Sequence, residues 1–242
     1  MQYSRAALIA VMAFPMLLKG CQDRPTVRLS GVRTEISYAL APFESIAADG
    51  IFELILTPSK EDRITIRTDT AILPYLHVTV DGKELRIDMD KIQIKKRGKN
   101  PPGEVEIAEI EVFFRGIKQL AYRGVGVLRS GDTLRAPALR LIHKGVGALY
   151  LDAVIDGDID ITYQGVGEMI LKGRAQRMHL KASGVGKVDA GAFRVVDGVV
   201  EASGVGEVVL FVTDTLRLGV KGIGGITYAV KPKVVRPLSD YR

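Results

Sequence analysis

A Gly-Val-Gly triplet recurs through the second half of this 242-residue chain. It stands at Gly124-Val125-Gly126, Gly145-Val146-Gly147, Gly165-Val166-Gly167, Gly184-Val185-Gly186 and Gly204-Val205-Gly206, with a variant at Gly222-Ile223-Gly224. The first glycines are separated by 21, 20, 19, 20 and 18 residues. A unit of nearly constant length points to one supersecondary element stacked on copies of itself, and a period near twenty residues matches one coil of a solenoid.

Aligning the copies on their first glycine reveals the local structure. Four residues before it lie Leu120, Leu141, Ile161, Leu180, Val200 and Leu218. Two before it lie Tyr122, His143, Tyr163, Ala182, Ala202 and Val220. Intervening positions are mostly polar, such as Arg140, Asp160, His179 and Arg217, or Lys144, Gln164, Ser183, Ser203 and Lys221. Period-two alternation belongs to strands with one face inward. The apolar set resumes beyond the triplet at Leu128, Leu149, Met169, Val188, Val208 and Ile226. A bend at each glycine is expected to shift the alternation and turn the central Val inward at a coil corner, stacked on its counterparts. His143, between Tyr122 and Tyr163 in the inward column, is expected to be a neutral core imidazole bonded to a tyrosine hydroxyl. Parallel pairing of six such coils would give a stack of roughly 29 Å.

The first half is also strand-like but not visibly repetitive. Ile51 to Thr57, Arg63 to Thr68, His77 to Val80 and Glu84 to Met89 alternate, and Asp81-Gly82 between the last two signals a hairpin. Val105 to Ile107 and Ile110 to Phe114 continue the pattern. With 26 glycines, no tryptophan and no long helical periodicity, the composition agrees with strands and tight turns.

The extreme N-terminus differs. Arg5 precedes an apolar run of 13 residues from Ala6 to Leu18, which suits a signal peptide and is too short to span a bilayer. It ends in Leu18-Lys19-Gly20-Cys21, and Cys21 is the only cysteine. The segment resembles a bacterial lipobox; Leu18 and Gly20 fit, and Lys19 departs from the pattern. That resemblance implies cleavage before a lipidated Cys21 and, with Gln22 rather than Asp following, transfer to the outer membrane. Without Arg5 and Lys19 the body carries 32 basic against 28 acidic residues, a mild excess of about +4 with no basic-aromatic platform, which gives nucleic-acid binding little support. The densest basic run, Lys91, Lys95, Lys96, Arg97 and Lys99, reads first as a solvated loop and second as a contact for anionic glycans or headgroups.

Taken together, the chain resembles the bacterial family of putative auto-transporter adhesin, head GIN domain, over residues 40 to 234. The resemblance rests on Phe43 and Ile46 before Gly50, on Glu53-Leu54-Ile55-Leu56, on Val78 to Ile87 around Asp81-Gly82, and above all on the serial Gly-x-Gly units. Val230 departs from it, standing where the family pattern has Gly. The resemblance implies a right-handed β-helix-like fold on envelope lipoproteins, and an adhesive role.

Familiar glycine-rich chemistries fail residue by residue. No copy has the third glycine and following helix of a dinucleotide fingerprint. Gly184-Val185-Gly186-Lys187 imitates the end of a P-loop, yet Lys181 stands at the leading glycine and Val188 at the magnesium-binding hydroxyl. Calcium nonapeptides need Asp after the glycines, where Val127, Ala148, Glu168, Lys187, Glu207 and Gly225 stand. His77, His143 and His179 lack zinc-site spacing. For a carbohydrate-active β-helix the best acidic candidates are Asp156, Asp158 and Asp160 with Glu168, and Asp156-Gly157-Asp158 reads more simply as a turn.

The expected organisation is a lipoprotein signal peptide (1–20), a lipidated tether (21–34), an N-terminal β region (35–118), a right-handed parallel β-solenoid of about six coils (119–234) and a tail (235–242). The expected function is non-enzymatic, without cofactor or metal. The protein would be exported and anchored to the outer membrane through Cys21, presenting its solenoid to a glycan, a matrix component or an envelope protein. A carbohydrate-active lyase or hydrolase, and a scaffold or sensor of an envelope complex, are the alternatives.

Overall fold

The computed structural model describes residues 24–95 and 108–238. Cys21, the signal-like segment, Val105 to Ile107 and the basic residues Lys96, Arg97 and Lys99 lie outside them. The described residues are all-β with one short 3-10 turn at Leu73–Tyr75. In the first half the strands are β1 (Thr26–Arg28), β2 (Arg33–Ala39), β3 (Ser45–Pro58), β4 (Arg63–Asp69), β5 (Leu76–Asp81), β6 (Glu84–Met89), β7 (Gln93–Lys95) and β8 (Ala108–Phe114). The second half holds β9 (Gln119–Ser130), β10 (Leu134–Ala136), β11 (Leu139–Ile155), β12 (Asp158–Val212), β13 (Thr215–Val230) and β14 (Val234–Pro237). All but β1 and β7, which pair with each other, join one twelve-stranded sheet with no closed barrel.

Successive repeats pair in parallel with the triplets in register. Gly124 faces Gly145, Gly145 faces Gly165 and Gly204 faces Gly222. β12 carries three triplets, and the glycines of each abut those of the one before. The stack also contains a unit invisible in the glycine pattern. β3 pairs in parallel with β9, setting Gly50 against Gly124 and Ile51 against Val125. Phe52 therefore stands where later repeats carry their second glycine.

The glycines are explained by what lies beside them along the stack. Gly145 and Gly147 have φ of +147° and +138°, and a Cβ on either would sit 1.8 Å from the carbonyl oxygen of the matching glycine in the preceding repeat. No L side chain fits there, because the obstacle is backbone. Phe52 lies on β3, whose other neighbour at this level is Ala108 of β8 rather than a glycine, and its ring is buried.

The central valines do not point inward. Val125, Val146, Val166, Val185, Val205 and Ile223 are 43–75% exposed. Alternation in fact runs unbroken through each triplet: the buried residues four and two before the first glycine, and four after it, share one parity, and the Val between the glycines has the other. Each triplet is an outward arc with Val at its crest, and the expected inward corner is corrected accordingly.

The core is the remaining inward column set. Leu120, Leu141, Ile161, Leu180 and Val200 on one side of the arc, and Leu128, Leu149, Met169, Val188 and Val208 on the other, are buried in one continuous cluster. Val220 is the exception in its column, 46% exposed in the last repeat. Fully burying a side chain of this size contributes about 1.5–3 kcal/mol, which makes the stack cooperative rather than any single coil stable.

At the N-terminal end β8 pairs with β3 in parallel and then with β4 antiparallel, and β4 pairs with β2 antiparallel. The expected hairpin joins β5 and β6, but Asp81 pairs with Glu84, so its two-residue loop is Gly82-Lys83. Gly82 has φ of +57°, as the first position of a tight hairpin loop requires. At the C-terminal end β14 pairs in parallel with Thr215 to Leu218 of β13. The register slips between Leu210 and Phe211, whose partners are Tyr228 and Val230.

Candidate functional site

Three features of the stack could carry a function: the ridge on the arcs, the column beneath them and a charged face beside them. The ridge is a straight line of aliphatic crests, one per repeat, with Ile51 of β3 extending it at 39% exposure. One flank carries Arg123, Lys144, Gln164, Ser183, Ser203 and Lys221; the other carries Glu168, Lys187 and Glu207 among smaller residues. Polar contacts stiffen the second flank, with Tyr150 donating to Glu168, Thr227 Oγ1 donating to Glu207 at 3.1 Å and Lys187 paired with Asp189 at 2.9 Å. An aliphatic line of this length with polar margins is the arrangement expected of a contact surface rather than of a solvated strand.

Beneath the arcs, Tyr122, His143 and Tyr163 form a buried ladder of rings. Tyr122 and His143 stack at 5.4 Å with 19° between planes, and His143 and Tyr163 at 5.3 Å with 17°. Phe52 meets Tyr122 edge-on at 5.6 Å. The burial of His143 is as expected, but its predicted bond to a tyrosine hydroxyl is absent. Tyr122 donates instead to the carbonyl of Phe52 at 2.8 Å, and both imidazole nitrogens and the Tyr163 hydroxyl have no partner. Stacked rings keep their edges apart, so the hydroxyls cannot reach the imidazole. Desolvation lowers the pKa of His143 to about 4 and raises those of both tyrosines, so all three rings are neutral at physiological pH. After Tyr163 the column shrinks to Ala182 and Ala202, and a cleft opens there.

The charged face gathers residues from three consecutive repeats. Asp158 accepts two bonds from Arg177 at 2.7 and 3.0 Å. His179 lies 3.6 Å from Asp160 and 3.3 Å from Glu201, and Lys181 lies 3.1 Å from Glu201. Asp158, Asp160, Arg177, His179 and Asp197 border a shallow groove. Of the predicted acidic set, Asp158 and Asp160 reach this face. Asp156 and Gly157 form the bend before β12, with Asp156 N–H bonded to Ala136 O and Gly157 N–H to Pro137 O, and Glu168 is engaged with Tyr150 on the ridge flank. His179 was read from the sequence only as an outward surface residue, and Arg177, Lys181 and Glu201 were not singled out, although Arg177 and Asp158, and Lys181 and Glu201, fall at matching offsets from the glycines of adjacent repeats.

Glycoside cleavage by a carboxyl pair needs one partner held protonated, with a raised pKa. Here Arg177 lowers Asp158, and Glu201 is lowered because the bonds from Lys181 and His179 outweigh its partial burial. Both stay ionised, and the face works as an ion-pair lattice. Among the described residues no group of three or more His, Cys, Asp or Glu is placed to hold a metal. No helix among them is long and apolar enough to cross a membrane. Of the basic run, Lys91 and Lys95 are described; Lys95 ends β7 and pairs opposite Arg28 of β1.

A family model described as putative auto-transporter adhesin, head GIN domain, matches residues 42–232. No curated protein matches the chain. Among solved structures, a putative adhesin from Bacteroides fragilis superimposes with a TM-score of 0.75 at 22% identity, over 87% of this chain and 94% of that one. A putative lipid binding protein from Parabacteroides distasonis gives 0.65 at 15% identity, over 88% and 96%. A putative adhesin from Parabacteroides merdae gives 0.55 at 14% identity, over 89% and 100%. These likenesses concern the fold.

Proposed function

The chain belongs to the putative auto-transporter adhesin, head GIN domain family, and from that premise we propose a non-catalytic cell-envelope binding module that grips a protein partner along its valine ridge. In this reading the stack is a right-handed parallel β-solenoid, held at the outer membrane by a lipid on Cys21. In-register parallel pairing of repeats supports the solenoid, and the lipobox-like Leu18 to Cys21 supports the anchor.

The observation that carries the proposal is the exposure of Val125, Val146, Val166, Val185, Val205 and Ile223 in one line. A rigid backbone presents them at roughly 4.8 Å intervals, so a partner can be engaged at many points with little ordering cost. Glycan sites place aromatic faces and converging hydrogen-bond groups against sugar rings, and this crest has neither. Branched aliphatics with a polar margin suit the apolar centre of a protein–protein contact. The ion-pair lattice around Arg177 then contributes rigidity rather than chemistry.

The test compares the soluble body with its Val146→Asp/Val166→Asp/Val185→Asp variant. Each carboxylate would stay in water, but the three would face one another in register and repel, so some loss of stability is expected and the fold of the variant is checked by its melting curve. Envelope and matrix proteins captured by the parent are purified and titrated back. Saturable binding to the parent and at least tenfold weaker binding to a variant that is fully folded at the assay temperature supports the ridge. Equal binding by both, or binding on a glycan array that the variant retains, overturns it.

A further inference from the structure

The start of the described chain pairs with a distant basic segment. β1 runs parallel to β7, setting Thr26 beside Gln93, Val27 beside Ile94 and Arg28 beside Lys95. Pairing continues past both ends, since Gln93 N–H donates to Pro25 O at 2.9 Å and Leu29 N–H to Lys95 O at 3.4 Å. Val27 is buried, so its side of the pair faces the body and the alternate positions face outward. Arg28 and Lys95 are exposed there, and Arg24 and Lys91, two residues before Thr26 and Gln93, are exposed as well. Among the described residues none of the four makes an ion pair, and Asp90, the acid next to Lys91, lies 3.1 Å from His77. Like charges set directly opposite on neighbouring strands repel, so the fold itself gains nothing from placing Arg28 against Lys95. A local conflict of this kind is characteristic of a surface kept for function.

We infer that the basic face of β1 and β7 rests on the anionic phospholipid headgroups of the membrane that carries the protein, and so sets the orientation of the stack upon it. This seat presupposes the Cys21 anchor proposed above. Only Gln22 and Asp23 separate Cys21 from Arg24, and three residue steps span at most about 11 Å in any conformation. A lipid on Cys21 therefore holds Arg24 at the bilayer surface, where each Lys or Arg strengthens attachment to anionic lipid about fivefold. An anionic polysaccharide would meet the same charges, but the short reach to Cys21 favours the headgroups. The pair is also fixed to the body. Asp69 accepts from Ser30 N–H at 3.1 Å, from Ser30 Oγ at 2.8 Å and from Gly31 N–H at 2.8 Å. Before β7, Asp90 N–H donates to Tyr75 O at 2.9 Å. Held on both strands, the face passes its seat on the membrane to the whole stack.

The chain from Asp23 onward keeps every strand and the whole core, and it takes the anchor out of the measurement. Its co-sedimentation with phosphatidylglycerol vesicles is compared with that on phosphatidylcholine vesicles. At about 0.1 M salt charges act over about 10 Å, so only residues near the bilayer contribute. The expected result is binding to phosphatidylglycerol alone, lost as salt is raised. Arg28→Gln/Lys95→Gln should weaken it at least tenfold and melt no lower than the parent, since an opposed like pair is removed. Arg194→Gln/Arg217→Gln removes equal charge from exposed positions on later repeats and should bind within twofold of the parent. Equal binding to both lipids, an equal loss in both double variants, or a preference for heparin over the vesicles would overturn the inference. Should the first variant melt lower, Lys91→Gln decides: about fivefold weaker binding supports the face, and parent-like binding overturns it. Membrane fractionation of Cys21→Ser after a high-salt wash reads the anchor separately, so the two readings fail independently.

Discussion

His143 should make this protein lose stability with mild acid, by an amount its surroundings fix. The ring is wholly buried between Tyr122 and Tyr163, with neither nitrogen bonded, and its pKa falls from 6.5 to about 4. Between those values the unfolded chain binds a proton at His143 and the folded chain does not. Stability therefore rises with pH across this window, is fully present above about 6.5, and is lost as pH falls towards about 4, below which the loss levels off. From about pH 7.5 to about pH 5 the expected loss from this one group is about 2 kcal/mol. His143→Phe keeps a ring in the ladder and removes the titration, and it also removes two unpaired nitrogens, so it should be at least as stable at neutral pH. Urea denaturation of both proteins across this range isolates the contribution of His143, because every other side chain is common to both. A wild-type-minus-variant difference that stays constant with pH would refute the claim that the imidazole is buried and neutral.

Two further outcomes follow from the stack and its tether. Gly145→Ala would place a methyl 1.8 Å from the Gly124 carbonyl oxygen and should cost about 3–5 kcal/mol, whereas Gly225→Ala, with nothing within 4 Å, should change stability by less than about 0.5 kcal/mol. Calorimetric melting compares them, and similar losses would undo the steric account of the repeat. Cys21→Ser should move the protein from the membrane to the soluble fraction of a bacterial host, and unchanged fractionation would remove the lipid anchor from the proposed function.

Much of the architecture could be read from the chain because stacking imposes the same demand at every level. Glycine is needed wherever the preceding arc's carbonyl occupies the Cβ position, so the triplet recurs and the register of Gly145 on Gly124 follows from spacing alone. The first unit escaped because Phe52, paired with Ala108 of β8 on its far side, stands in place of the second glycine and breaks the triplet. The charged face escaped for a different reason. Asp158 and Arg177 lie nineteen residues apart and meet only because coils pair in parallel, so their pairing emerges from the register and not from local sequence.

The valines are where composition and periodicity disagreed, and periodicity was right. Val is apolar and flanked by glycines, which favours an inward corner if residue type decides. Counting by twos from Leu141 through His143, Gly145 and Gly147 to Leu149 leaves Val146 on the opposite face, where it is 49% exposed. Strand propensity alone could explain a β-branched residue at the crest, since Val and Thr both favour extended backbone. Propensity does not explain aliphatic residues at all six crests, because Thr would satisfy the backbone and water together. Replacing Val146, Val166 and Val185 by Thr separates the two accounts: shape and β-branching are kept, the apolar crest is lost. If the valines serve the backbone, the substituted ridge should melt and bind as the parent does. If they serve a partner, it should melt unchanged and bind more weakly, and the second outcome is the one the exposed line of side chains predicts.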